Sequence, residues 1–293
     1  MRTTSRIFPK LLTGILATLM LSACSMGKMV VQGTQSIMDS SVETMNRETD
    51  LELAREAMPA NLKLIEGMLI EDPGNTGMRL YAAEAFYGYA FGFIELEDRE
   101  RASRFYRRCY NHALQALQDT GIQVDPESIS PTDLEAVVGK AGRESVPALF
   151  WSASCLGKWI DLNRDKPVGI IEISSAAIMM QRVLELDDGF YYGGAHMFFG
   201  VYYGARSPML GGNHELAEEH FRKAAAINQD RLLLVDLLQA EFLDRQRLDQ
   251  AGFNKRLMRV IEAPDNLYPE MALINGIAKQ RARHLLTLED DWF

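Results

Sequence analysis

The stretch that decides the fold runs from Phe199 to Ala224, FGVYYGARSPMLGGNHELAEEHFRKA. Phe199-Gly200 and Tyr203 lie ahead of a Ser-Pro and Gly-Gly break, and Ala217, Phe221 and Ala224 resume the pattern beyond it. Steps of three and four place such residues on one face of a helix. Glycine and alanine on that face let two helices approach closely, and the rings fill the space beside them. Asn213 precedes the charged first turn His214-Glu215 and is placed to cap the second helix. The stretch therefore reads as a helical hairpin.

The same offsets recur outward from it. Phe86, Tyr89, Ala90 and Phe93 precede Ala102, Tyr106 and Cys109 across a short acidic turn. Leu156-Gly157 and Ile160 precede Ala176, Met180 and Val183, with an insertion around Asn163 to Gly169. A fainter copy sets Leu238 and Phe242 against Ala251, Lys255 and Met258 and closes at Pro264, while Asn61 to Pro73 reads as a second helix ending in a Pro-Gly-Asn turn. These segments answer to the tetratricopeptide (TPR) pattern, Trp-x2-Leu-Gly-x2-Tyr followed by Ala-x3-Phe-x2-Ala. The expected fold is all-α, an irregular TPR-like helical-hairpin solenoid wound as a right-handed superhelix. The irregularity comes from insertions such as Asp119 to Ser145, which holds a helix start of its own with Ser130 as N-cap, Pro131 in the first turn and Asp133 three residues on.

The N-terminus has a different grammar. Arg2, Arg6 and Lys10 come without an acid, and the apolar run Leu11 to Leu21 follows, in the order of a secretory signal. That run is shorter than the roughly 20 apolar residues a spanning helix needs. It stops at Leu21-Ser22-Ala23-Cys24, which resembles the lipobox of bacterial lipoproteins. The expected organisation is a cleaved lipoprotein signal peptide over 1–23, a lipidated Cys24 with a polar tether over 24–49, and a helical domain over 50–293. In the lipoproteins this resembles, an aspartate after the cysteine retains the protein at the inner membrane. Ser25 stands there instead, so the expected place is the periplasm, lipid-anchored to the outer membrane. Loss of three cations with the signal takes the formal net charge from −9 to −12, a balance that argues against nucleic acid as a partner.

Cys109 and Cys155 sit in apolar helical patterns, where a buried free thiol is the common case; a bridge is the alternative in a compartment that permits one. No catalytic or metal constellation stands out, and neither an enzymatic activity nor a cofactor is expected. His214 and His220 are six residues apart, about 120° round a helix, so they do not face one ion. His214 reads as an exposed first-turn residue and His220 as a surface or interface residue. Aromatic residues are dense at Phe86 to Phe93 and Phe190 to Tyr203, more than one helix face can bury. Phe86, Tyr89, Phe93, Phe199 and Tyr203 belong to the repeat positions; the others are candidates either for simple packing or for an apolar groove or subunit interface.

The run Phe198 to Asn213, followed by Glu215, Ala217, Phe221 and Ala224, resembles the T-component family of tripartite ATP-independent periplasmic (TRAP) transporters. The lipobox, the Leu62 to Asn75 helix and turn, the Tyr81 to Glu95 aromatic helix and the Pro269 to Leu286 closing helix are similar in order. The resemblance implies a TPR-like lipoprotein that forms a homotrimer, associates with the periplasmic substrate-binding protein of a TRAP transporter, and passes a hydrophobic or organic-acid ligand. Carried onto this chain, it makes Tyr202, Arg206, Pro208, Met209, Gly211 and Gly212 the candidates for lining the ligand path or meeting the partner. A general TPR scaffold lipoprotein for envelope assembly, without a small-molecule ligand, is the other function class. The terminal Trp292-Phe293 is expected to dock on a neighbouring helix or subunit, because two exposed rings beside three acids are costly.

Overall fold

The computed structural model describes residues 27–124, 129–163 and 170–293, and of residues 170–172 only the backbone. The signal peptide, Cys24 and Ser25 lie outside the described residues. Among those described, no strand occurs, and the chain is all-α. Its helices are α1 (Gln35–Asn46), α2 (Leu51–Glu71), α3 (Thr76–Tyr89), α4 (Arg99–Asp119), α5 (Pro131–Val138), α6 (Val146–Leu162) and α7 (Ile170–Leu186). They continue with α8 (Phe190–Gly204), α9 (His214–Ile227), α10 (Leu234–Gln239), α11 (Gln250–Glu262), α12 (Ala272–Leu286) and α13 (Glu289–Trp292). Wider π-helical turns, Ala90–Ile94 and Ala240–Asp244, extend α3 and α10.

The starts of these helices are written in single side chains. Asp50, Asn75, Asp98, Ser130, Asn213 and Asp249 each accept a backbone N–H from the first turn of the helix they precede. Each satisfies a donor the helix itself leaves unpaired, and replacing such a cap with alanine typically costs about 1 kcal/mol. The Ser130 cap also donates to Asp133 at 2.7 Å, closing the α5 start read from the sequence.

Most neighbours in sequence are neighbours in space: α3 packs on α4, α6 on α7, and α8 on α9. Small residues set the approach. Ala82, Ala83, Ala102, Ala113 and Ala116 are fully buried, and a Cβ on Gly200 would meet the Phe221 ring at 2.7 Å. The opening hairpin is thus built as its spacing implied, with Phe199, Ala217, Phe221 and Ala224 buried between α8 and α9. The most extensive non-sequential packing is α4 on α6, while α5, from the insertion, lies on α7; α12 also reaches back to α1, α2 and α10.

Four sequence readings are corrected. Cys109 on α4 and Cys155 on α6 are joined as a disulfide, Cα to Cα 5.8 Å, rather than being free thiols; the close packing of α4 on α6 brings the two buried positions within bonding range. Residues 27–33 are helical, and with α1 they dock on α2 and α3 through Val31, Met38, Ile65, Met78 and Ala82, so this part of the tether is packed. The buried face of α11 is Phe253, Leu257 and Val260, not Ala251, Lys255 and Met258. The larger side chains win that face, and they keep the four-three step from the Asp249 cap. His214 is half-buried instead of exposed, with its Nε2 enclosed and unpartnered.

The C-terminus docks as expected. The Trp292 and Phe293 rings pack on Phe253 of α11, with centroids 5.9 and 5.2 Å away, and the Arg245 guanidinium lies 3.8 Å over Trp292.

Candidate functional site

The surplus aromatic residues find their place around a cavity of about 780 Å³. Tyr87 and Phe91 reach it from α3 and its π turn, Trp151 from α6, and Tyr191, Tyr192, Phe198 and Tyr202 from α8. Met38, Val42 and Met45 of α1 close one side, and Ile274 and Ile277 of α12 another. Of the residues at repeat positions, Phe86, Tyr89, Phe93 and Phe199 are buried in the core, whereas Tyr203 is half-buried. On α3, Phe86 faces the paired helix and is sealed in, whereas Tyr87, about a quarter-turn round, lines the hollow; Phe91 and Trp151 belong to both core and wall.

The wall at the start of α8 is strained. Tyr191 (φ 49°, ψ 52°), Tyr192 (φ 61°, ψ 32°) and Gly193 (φ 80°, ψ 29°) form consecutive left-handed residues. Each non-glycine residue held there costs of order 1–3 kcal/mol. Gly193 is required as well, because a Cβ would come 3.2 Å from the Ala224 Cα. The turn points Tyr191 between Phe150 and Trp151, at 5.2 and 5.0 Å between centroids, and its hydroxyl donates to Glu84 Oε1 at 3.0 Å.

Most of the wall is apolar, so the few charges matter. Burial pushes the Glu84 carboxyl above its usual range, although the Tyr191 hydrogen bond opposes it. Glu241 also faces the cavity and makes no side-chain hydrogen bond among the described residues; burial raises it despite Arg281 and Lys158. Lys158 lines the cavity too, yet its ammonium is committed to Glu95 Oε1 at 2.8 Å and Asp161 Oδ2 at 3.2 Å. Burial would lower it, and those two acids raise it instead.

The sequence-chosen site residues separate into two groups. Tyr202 and Arg206 line the cavity. The Arg206 guanidinium lies 3.7 Å over the Tyr202 ring, its Nε donates to the Tyr202 carbonyl at 2.8 Å, and its enclosed Nη2 has no partner. Pro208, Met209, Gly211 and Gly212 do not line it. Pro208 opens a short 3-10 turn whose Met209 is 96% exposed. Gly211 takes φ 81°, and a Cβ on Gly212 would stand 1.8 Å from the Arg206 carbonyl oxygen. The two glycines therefore shape the loop that carries Arg206.

Sequence reasoning missed Glu84, Lys158 and Glu241. Each is a charge inside an apolar helical run, and that isolation was the available signal. Elsewhere, His196 Nδ1 and His220 Nδ1 meet at 2.9 Å between α8 and α9, so His220 does lie at a helix interface. No group of three or more metal-ligating side chains occurs among the described residues.

An uncharacterised protein of Treponema pallidum (strain Nichols) is 23% identical over 269 residues, covering 84% of this chain and 81% of that protein. The family model described as TRAP transporter T-component matches residues 47–293. With that match spanning the helical body from the end of α1 to the last residue, the chain belongs to the TRAP transporter T-component family.

Proposed function

We propose that this T-component works as a lipid-anchored periplasmic accessory, docking the transporter's substrate-binding protein and passing a ligand through the aromatic cavity. The observation that carries the reading is the cavity itself: about 780 Å³, walled by aromatic rings on the edge of the core. Soluble proteins fill such spaces unless something else occupies them. A cavity of this size falls within the range of small-molecule sites. Tyr202 and Arg206 stand on its wall, and the Pro208 to Gly212 loop beside them presents Met209 outward as a contact for the binding protein. Membrane attachment is through lipid on Cys24, at the outer membrane, with the helical body facing the periplasm. The homotrimer and the TPR-like solenoid implied by the resemblance are part of the same proposal.

The test uses the chain beginning at Ser25, with light scattering for mass and pull-down with the binding proteins of the same genome. A stable trimer that captures a TRAP-type binding protein supports the reading. A monomer that captures only envelope-assembly proteins supports the scaffold alternative. For the anchor, growth with labelled palmitate should label the intact chain and leave the Cys24→Ala variant unlabelled; label on both would refute acylation at Cys24.

A further inference from the structure

Three rings and an acid meet at one place on the cavity wall. Tyr87 and Trp151 lie 5.5 Å apart between centroids, tilted by 58°, and Trp151 and Tyr191 lie 5.0 Å apart at 74°. Glu84 stands beside them with Oε1 accepting from the Tyr191 hydroxyl at 3.0 Å, and Oε2 has no protein partner among the described residues. All four residues line the cavity. Among the described residues no cation is paired with this carboxyl. Lys158, the lysine on the wall, is bound to Glu95 and Asp161, and Arg206 is held on Tyr202.

From this geometry we infer that Glu84, Tyr87, Trp151 and Tyr191 form a cationic subsite, which selects an apolar ligand bearing a protonated amine over the corresponding carboxylic acid. The inference rests on the reading of the cavity as a ligand site and names the ligand class for it. Ring faces carry negative potential and attract a desolvated cation; aromatic cages recognise ammonium groups in this way. An ammonium also supplies what Glu84 lacks, because a nearby opposite charge favours the ionised carboxylate and a charge-assisted hydrogen bond is stronger than a neutral one. A carboxylate placed beside Glu84 would meet it as a like charge; the donor such a group would have to reach instead is the enclosed, unpartnered Nη2 of Arg206 over Tyr202.

The strained turn supports a binding role. Left-handed geometry at Tyr191 and Tyr192 is what places the Tyr191 ring against Trp151 and its hydroxyl on Glu84. Strain of this kind clusters at ligand clamps. Glu241 adds a second carboxyl to the cavity wall, but Arg281 and Lys158 already act on it, so the subsite rests on Glu84.

The experiment is calorimetric titration of the chain from Ser25, which contains every residue the structure describes, with dodecylamine, dodecanol and dodecanoate below their micellar concentrations. The same titrations are run on Glu84→Gln and Trp151→Leu. The expected result is binding of dodecylamine at least tenfold tighter than dodecanoate, with dodecanol between them. Glu84→Gln should lose at least tenfold for the amine and less than threefold for the alcohol. Trp151→Leu tests the ring cage; if its circular dichroism departs from wild type, the Glu84→Gln ratio, from a near-isosteric change, stands as the deciding value. Equal binding of all three probes, or tighter binding of dodecanoate, overturns the cationic subsite and leaves the cavity reading intact. Failure of every probe to bind overturns both.

Discussion

Arg281 Nη2 donates to Glu95 Oε1 at 3.0 Å, tying α12 to the end of the α3 π turn across 186 residues of chain. Arg281 Nη1 donates to the Phe91 carbonyl at 2.9 Å, while Lys158 and the Tyr106 hydroxyl complete the carboxylate at 2.8 and 2.5 Å. Glu95 and Arg281 are both buried, 7% and 4% exposed, so the group stands or falls together. Glu95→Gln leaves the buried Arg281 without its carboxylate and the half-buried Lys158 with Asp161 alone. The expected loss is about 3–5 kcal/mol, the usual cost of removing one partner from a buried ion pair, read as a lower urea midpoint. An unchanged midpoint would contradict this account of the network.

The same carboxyl sets an acid limit. Burial pushes Glu95 up, but the Lys158 ammonium and the Arg281 guanidinium outweigh that and hold it at about 2, below its ordinary 4.5. In that window the unfolded chain binds the proton and the folded one does not, so stability rises with pH. Its contribution is complete above pH 4.5 and is lost as pH falls toward 2. Melting followed from pH 5 to 2 should therefore slope less in Glu95→Gln than in the wild type. Parallel slopes would refute the assignment.

How far this was legible from the sequence differs by element. The α8–α9 hairpin could be read because Gly200, Ala217, Phe221 and the Asn213 cap act locally and agree with one another. The α11 register could not, since Ala251 and Phe253 both fit a helical period and only packing decides between them. The Tyr191-Tyr192 turn was hidden for a stronger reason: the residues prefer ordinary helix, and the enclosing rings impose the left-handed form. Among the site residues, Tyr202 and Arg206 reach the cavity because they share the lining face of α8 and its extension. Glu84 and Glu241 stand out as acids in apolar runs, but what they face depends on the opposite wall, which local sequence does not specify.

His220 should give a second pH dependence at milder acidity. Burial, then His196 and Lys223, hold it at about 4 against an ordinary 6.5. The folded state keeps this imidazole neutral where the unfolded state would charge it, so stability is lost as pH falls from 6.5 toward 4. His220→Phe removes that titration, and its melting temperature should change less over the interval than that of the wild type. An identical pH profile would count against the depressed value.

The Cys109–Cys155 bond closes a separation of 46 residues. Loop entropy in the unfolded chain makes such a closure worth about 4 kcal/mol. Cys109→Ala with Cys155→Ala should lower the denaturation midpoint accordingly. The oxidised wild type, unfolded without reductant, should leave both thiols unmodified by maleimide; modification of either would show the pair to be open.

Gly212→Ala tests the loop that carries Arg206. The new Cβ would stand 1.8 Å from the Arg206 carbonyl oxygen, and backbone, not a flexible tip, must move. A loss of about 1–3 kcal/mol is expected for such overpacking, with Arg206 displaced from Tyr202. Unchanged stability together with an unchanged crystallographic position of Arg206 would contradict the role given to Gly212.

The central claim is that the aromatic cavity is where ligand resides, and photolabelling tests it most directly. A dodecyl chain bearing a diazirine and an amine head is irradiated with the protein, and the modified peptides are mapped by mass spectrometry. The account predicts label on the cavity-wall segments containing Glu84 to Phe91, Trp151 to Lys158 and Tyr191 to Tyr202, competed away by unlabelled dodecylamine. Label confined to outward-facing positions such as Met29, Ile37, Ile70 and Leu248, and unaffected by competitor, would contradict it.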